Sequence, residues 1–188
     1  MTPETIPRRD AFAGCALPSG AAAAAKPCGP ATRLILRGGP VVVLPAAAVF
    51  GPLPPLAPLR SNVQGERAAL WMGPDEWLLI AEDGAGALLG QIEAALADVP
   101  HALFDVSHRQ AGLEIAGPEA ARLLNAGVAL DLGLEAFPAG MVVRTLYHKA
   151  EIVLWRLAPD RWRLETGRSF AAYVAAALKR GAEDWALA

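Results

Sequence analysis

Three runs between Met141 and Thr166 leave this chain little choice of architecture. MVVRTLY, EIVLWRL and RWRLET follow one another with only HKA and APD between them. Each is rich in β-branched and aromatic residues and reads as a strand, and Pro159-Asp160 supplies a turn. In the last run Trp162, Leu164 and Thr166 alternate with Arg161, Arg163 and Glu165. A period of two means one buried and one wet face, the pattern of an antiparallel sheet.

Upstream the same logic continues. Thr32–Gly38 reads as a strand, and Val41–Leu44 as a possible second one. Trp77–Ala81 is a buried-strand run preceded by the turn signal Gly73-Pro74-Asp75-Glu76. Ala102–Ser107 and Ala111–Ala116 are further strands. Helical spacing places Leu88, Leu89, Ile92 and Leu96 on one stripe. A second helix starts after Gly117-Pro118-Glu119, with Pro in the first turn and Glu near the positive helix end. A last helix runs from Ser169 to Lys179 with Gly181 as its stop; Phe170, Tyr173, Val174, Ala177 and Leu178 form its apolar stripe. The fold class expected is α+β, a largely antiparallel sheet with helices packed on one side.

The chain divides by composition. Residues 1–31 are rich in Ala, Pro and Gly without periodicity, and read as a flexible arm. Residues 32–69 read as an extended Pro-rich segment with short strands, and residues 70–188 as the ordered α+β domain. Five prolines between Pro45 and Leu59 argue against regular helix or central strand there. Phe50, Leu53, Leu56 and Leu59 make that segment apolar, so it must lie against its own domain or against another chain. Phe50, Leu53 and Leu56 are candidate interface residues, with Trp71 and Trp185, which flank the ordered elements.

Charge and composition exclude several functions. Of 188 residues 54% are hydrophobic, and 17 basic against 19 acidic side chains leave a net charge of −2. Neither nucleic acid nor an anionic membrane is an expected partner. No apolar run approaches the roughly 18–20 residues that span a bilayer, and the cytoplasm is the default location. Cys15 and Cys28 lack His or Cys neighbours at ligand spacing and read as free thiols. His101, His108 and His148 are scattered, so no metal site is expected.

Asp105, Ser107 and His108 bring the residue types of a hydrolase triad into four positions. On a strand Asp105 and Ser107 share one face and His108 takes the other, and adjacent Ser and His cannot make the ~3 Å nucleophile–base bond. The expected role is a strand end entering a turn. Asp75 and Glu76 likewise read as turn residues. No Gly-rich dinucleotide or phosphate loop is present.

FDVSH followed by LEIAGPEAARLL, over Phe104 to about Leu157, resembles the glycine-cleavage T-protein, an aminomethyltransferase family. A more specific set appears in order: LWMGPDEWLL (70–79), DVSHRQ (105–110), LDL (130–132), FPAG (137–140), RT (144–145), VLWR (153–156) and GRSFAAYV (167–174). Together these resemble the gamma subunit family of heterotetrameric sarcosine oxidase, whose fold is similar to the N-terminal folate-binding-type domain of T-proteins. The resemblance implies an accessory, non-catalytic chain beside alpha, beta and delta subunits. It implies that the complex demethylates sarcosine oxidatively to glycine and passes the one-carbon unit to tetrahydrofolate. FAD, FMN, NAD and tetrahydrofolate are then expected in the partner subunits and none on this chain.

By the same resemblance Asp131 matches the T-protein carboxylate, a candidate folate contact. Two departures weigh against a working site: HKAEIVLW replaces the family's Gly-Gly pair with its acidic residues, and the second half of a T-protein is missing. Val128-Ala129 also stands where the gamma pattern has Cys-Pro. Two other readings stay open: a stand-alone folate-binding transferase that uses Asp131, and an assembly factor for the flavoenzyme.

Overall fold

The computed structural model describes residues 9–186, with side chains through residue 184. Its ten strands form two five-stranded antiparallel sheets. One, the N-terminal sheet, contains β2 (Thr32–Gly38), β3 (Ser61–Gln64), β4 (Arg67–Gly73), β5 (Glu76–Ala81) and β6 (His101–Asp105), in the order β3-β4-β5-β2-β6. The C-terminal sheet contains β1 (Ala24–Pro27), β7 (Gln110–Ala116), β8 (Val142–Tyr147), β9 (Ala150–Ala158) and β10 (Arg161–Gly167), in the order β1-β7-β10-β9-β8. The α+β, antiparallel class therefore stands, with two sheets in place of the single one expected.

Each sheet carries helices on one face and turns its other face to its neighbour. Helices α1 (Val43–Phe50) and α2 (Gly86–Ala95) close a core of Leu34, Leu36, Phe50, Trp77, Leu79 and Ile92 on the N-terminal sheet. Helices α3 (Ala120–Asn125) and α4 (Ala171–Ala186) close a core with Leu113, Ile115, Tyr147, Leu154 and Trp162 on the C-terminal sheet. Leu70, Leu78, Ile80, Val142, Val153 and Trp155 pack between the sheets. Leu88, Ile92 and Leu96 of the predicted stripe are all buried.

Several local expectations are corrected. Val41–Leu44 is not a strand: it spans the end of a 3-10 turn (Pro40–Val42) and the start of α1. Helix α1 contains Pro45 because that residue falls in the first turn, where its missing N–H has no intrahelical partner to lose. Phe50, a candidate interface residue, is fully buried in the N-terminal core. Over residues 9–31 the expected arm is packed: Phe12 is buried against the C-terminal core, and β1 pairs with β7 from Ala24↔Ala116 to Pro27↔Leu113. Alanines give that strand little propensity; the ladder to β7 supplies its order. Residues 32–69 are no separate segment, since β2 and β3 belong to the N-terminal sheet.

Gly181 does not stop the last helix, which runs on to Ala186. A Cβ on Gly181 would stand 3.4 Å from Leu123 and 3.5 Å from Ala126, so the glycine lets α4 approach α3 closely. The wet face expected on β10 is wrong in part: Glu165 is 2% exposed because it points at the other sheet. The apolar face of Trp162, Leu164 and Thr166 is buried as expected.

Candidate functional site

The sequence motifs that looked most chemical turn out to link parts of the fold. At the DVSH turn, the Asp105 carboxylate accepts the Ser107 N–H at 2.8 Å. The Ser107 hydroxyl oxygen accepts the Arg33 backbone N–H at 2.9 Å. Val106 N–H bonds the Arg33 carbonyl at 2.9 Å. Asp105 and Ser107 thus pin the end of β6 to β2, while His108 stands exposed. The base–nucleophile arrangement of a triad is not formed.

Other motif pieces meet one another. Arg156, of VLWR, is buried beneath the 131–138 loop and donates to the carbonyls of Leu132 at 3.1 Å and Phe137 at 2.7 Å. Its guanidinium also stacks over the Trp162 ring at 4.5 Å, and Phe137 packs on the same indole at 5.1 Å. One arginine therefore joins LDL, FPAG and VLWR. Arg144, of RT, pairs with Glu76 of the GPDE turn and so ties β8 to β5 across the sheets. Arg168 N–H, in GRSF, bonds the Arg109 carbonyl of DVSHRQ at 2.8 Å.

Asp131 is held in a turn. Its carboxylate accepts the Gly133 N–H at 2.7 Å, and the residue is exposed on the loop that Arg156 anchors. The hairpin that replaces the Gly-Gly pattern places His148 at φ 50°, a left-handed position, and bonds His148 N–H to the Gly127 carbonyl at 2.7 Å.

The interface candidates separate. Along the Pro-rich segment Pro52, Pro54 and Pro55 are buried, and the Pro55 carbonyl accepts the buried Trp77 indole N–H at 2.7 Å. The segment packs on its own domain, with Leu53 43% and Leu56 57% exposed on its outer side. Trp71 is half-buried. Trp185 lies on α4, with its side chain outside the described residues.

Sequence reasoning missed the ion cluster between the sheets. Arg33 of β2 donates through Nε to Glu165 of β10 at 2.7 Å and through Nη2 at 3.2 Å. Arg163 Nε donates to the same carboxylate at 2.7 Å. Arg33 and Glu165 side chains are each 2% exposed. The available signal was Arg33 within the otherwise apolar run TRLIL, a charge a buried strand cannot carry unpaired. Beside this cluster Cys28 is a free thiol, its pKa pushed up to about 11 chiefly by burial. Among the described residues no group of three His, Cys, Asp or Glu side chains could hold a metal, and no helix is long and apolar enough to cross a membrane.

Comparison with known proteins bears on all of these features. Residues 44–183 match the model of the sarcosine oxidase, gamma subunit family. The sarcosine oxidase subunit gamma of Corynebacterium sp. (strain P-1) is 35% identical over 112 residues, 60% of this chain and 54% of that protein. That of Corynebacterium sp. (strain U-96) is 33% identical over 143 residues, 74% of this chain and 69% of its own. The match thus spans about half the length of the first relative. Among solved structures, the heterotetrameric sarcosine oxidase from Corynebacterium sp. U-96 in complex with pyrrole 2-carboxylate contains a similar chain. It superposes with TM-score 0.86 at 27% identity, over 94% of this chain and 95% of that one. The glycine cleavage system aminomethyltransferase T from Bartonella henselae shares the fold, with TM-score 0.63 at 15% identity over 84% of this chain and 45% of its own. With 140 of its residues matched and its motif arginines serving as links between motifs, this chain belongs to the sarcosine oxidase gamma subunit family.

Proposed function

We propose that this chain is an accessory, non-catalytic subunit of a heterotetrameric sarcosine oxidase, an enzyme that demethylates sarcosine oxidatively to glycine and passes the one-carbon unit to tetrahydrofolate. The observation that carries the reading is the near end-to-end superposition on a chain of the Corynebacterium heterotetramer. In this reading the alpha, beta and delta subunits hold FAD, FMN, NAD and tetrahydrofolate, and this chain contributes surface. Its motif residues support that division: Asp105, Ser107, Arg144 and Arg156 are each engaged in fixing the fold. Asp131 caps a turn on an exposed loop. The outward leucines Leu53 and Leu56 are the surface this reading assigns to a partner.

The test is to tag the chain in its own host, purify under native conditions, and record the visible spectrum and subunit ratio. Flavin absorbance with one copy of this chain per large subunit is the expected result. A colourless chain recovered alone from cells that contain the oxidase would refute the proposal.

A further inference from the structure

The chain as a whole is slightly acidic, yet one cleft gathers positive charge. It is a space of about 250 Å³ where the residue 9–12 turn, the 29–33 segment, the DVSH turn and Arg168 converge. Arg9, Arg33 and Arg168 all line it, with His108 and Gln110. The carboxylates nearby are already committed. Asp10 Oδ1 accepts the Phe12 N–H at 2.7 Å. Glu165, behind the wall, is shared between Arg33 and Arg163. Glu114, near the same cluster, pairs with Lys26 at 3.0 Å. Among the residues that line the cleft, three guanidinium groups (Arg9, Arg33, Arg168) thus face one carboxylate (Asp10), an excess of two positive charges.

The wall offers donors as well as charge. A guanidinium has five N–H groups. Arg33 spends two on Glu165 and one on the Ala31 carbonyl, which leaves one on each terminal nitrogen. Gln110 Oε1 is buried without a partner. A half-turn of that amide exchanges its oxygen for its NH₂, so Gln110 can also present a donor. Arg33 is held rigid at the base by its fork to Glu165, while Arg9 and Arg168 are exposed at the mouth. Guanidinium groups match the planar geometry of carboxylate and phosphate oxygens, and partial enclosure strengthens the attraction. The volume lies below the ~300–1,000 Å³ of drug-sized pockets, so it suits one oxyanion head with a short tail.

We propose that this cleft is a binding site for a small oxyanion, a carboxylate or phosphate group, seated between Arg9, Arg33 and Arg168. The proposal rests on residues of this chain and does not depend on the assembly proposed above.

The test uses the purified full-length chain at constant ionic strength, titrated separately with sodium acetate and sodium phosphate. Backbone amide NMR shifts of Gly29, Ala111 and Gly112 report occupancy. Saturable binding with Kd on the order of millimolar is expected. Arg168→Gln and Arg9→Gln, both at exposed positions, should each weaken it about fivefold or more. Arg161→Gln, an exposed arginine outside the cleft, should leave it unchanged. Saturation by acetate alone, phosphate alone or both identifies the oxyanion class. Shifts that never saturate with either anion, or that respond equally to Arg161→Gln and Arg168→Gln, overturn the proposal.

Discussion

Replacing Glu165 by Gln is the sharpest probe of how the two sheets are held together. The substitution keeps the side chain's shape, so no cavity opens, but it removes the charge that Arg33 and Arg163 share. Arg33 is 2% exposed on its side chain and cannot turn to water. Oε2 accepts Arg33 Nε–H at 2.7 Å, and Oε1 accepts both Arg33 Nη2–H at 3.2 Å and Arg163 Nε–H at 2.7 Å, so whichever oxygen becomes NH₂, a donor meets a donor. Removing one member of a buried ion pair costs about 3–5 kcal/mol. That is a large part of the ~5–15 kcal/mol that stabilises a typical domain. At ~2–4 °C per kcal/mol for a chain of this size, the midpoint should fall by roughly 6–20 °C. Urea unfolding at 25 °C, with the slope compared to confirm that only stability has changed, measures the loss. The double variant Arg33→Met/Glu165→Leu removes the two most deeply buried charges and leaves Arg163, 19% exposed on its side chain. It should therefore be more stable than Glu165→Gln alone. A loss below about 1 kcal/mol for Glu165→Gln, or a double variant no more stable than Glu165→Gln, would show that the pair is not a buried clamp.

Two further outcomes follow from burial. Phe50→Ala should cost about 3–5 kcal/mol because the ring is fully buried, whereas Leu56→Ser should stay within about 0.5 kcal/mol and weaken copurification with large subunits instead; thermal melts and pull-downs separate the two effects. Burial raises the Cys28 thiol from 9.0 to about 11, against the lowering influence of Arg163, and the Tyr147 hydroxyl from 10.0 to about 12, helped by Tyr173. A raised folded value stabilises the folded state at pH below the unfolded one, so stability should be level below pH 9 and decline as pH climbs toward 11 and 12. Cys28→Ala should remove the first part of that decline, and denaturant midpoints between pH 7 and 11 would show whether it does.

Much of the fold is legible in the sequence where one face of an element is apolar. The runs at 77–81, 111–116, 141–147, 151–157 and 161–166 are strands because their side chains alternate or fill a core, and the Gly73–Glu76 turn has its own chemistry. The pairing of two sheets is not legible in that way. Arg163 and Glu165 look like solvent-facing residues, and only the arrival of Arg33 from a strand 132 positions earlier makes that face an interior. The Ala-rich β1 has no intrinsic strand signal; its order comes from β7. Pro45 and its neighbours read as a breaker because the helix start that accommodates them is set by packing on the sheet, not by local pattern. The cleft is assembled from residues 9–12, 29–33, 107–112 and 168, positions that only the tertiary topology brings together. Asp131 was recognisable by family pattern, but its turn geometry depends on the loop that Arg156 fastens from another strand.

The strand order also fixes a sequence of events during synthesis. All five strands of the N-terminal sheet have been delivered once Asp105 has emerged. No ladder of the C-terminal sheet can form until Gln110–Ala116 follows, because β1 must wait for a partner 92 positions downstream, from Ala24 to Ala116. Of the ten described strands, the first made is therefore among the later ones to be paired. A nascent chain halted near residue 105 presents a finished sheet whose inner face, with Leu70, Leu78 and Ile80, still lacks its cover. That intermediate is the species in which aggregation has its opportunity.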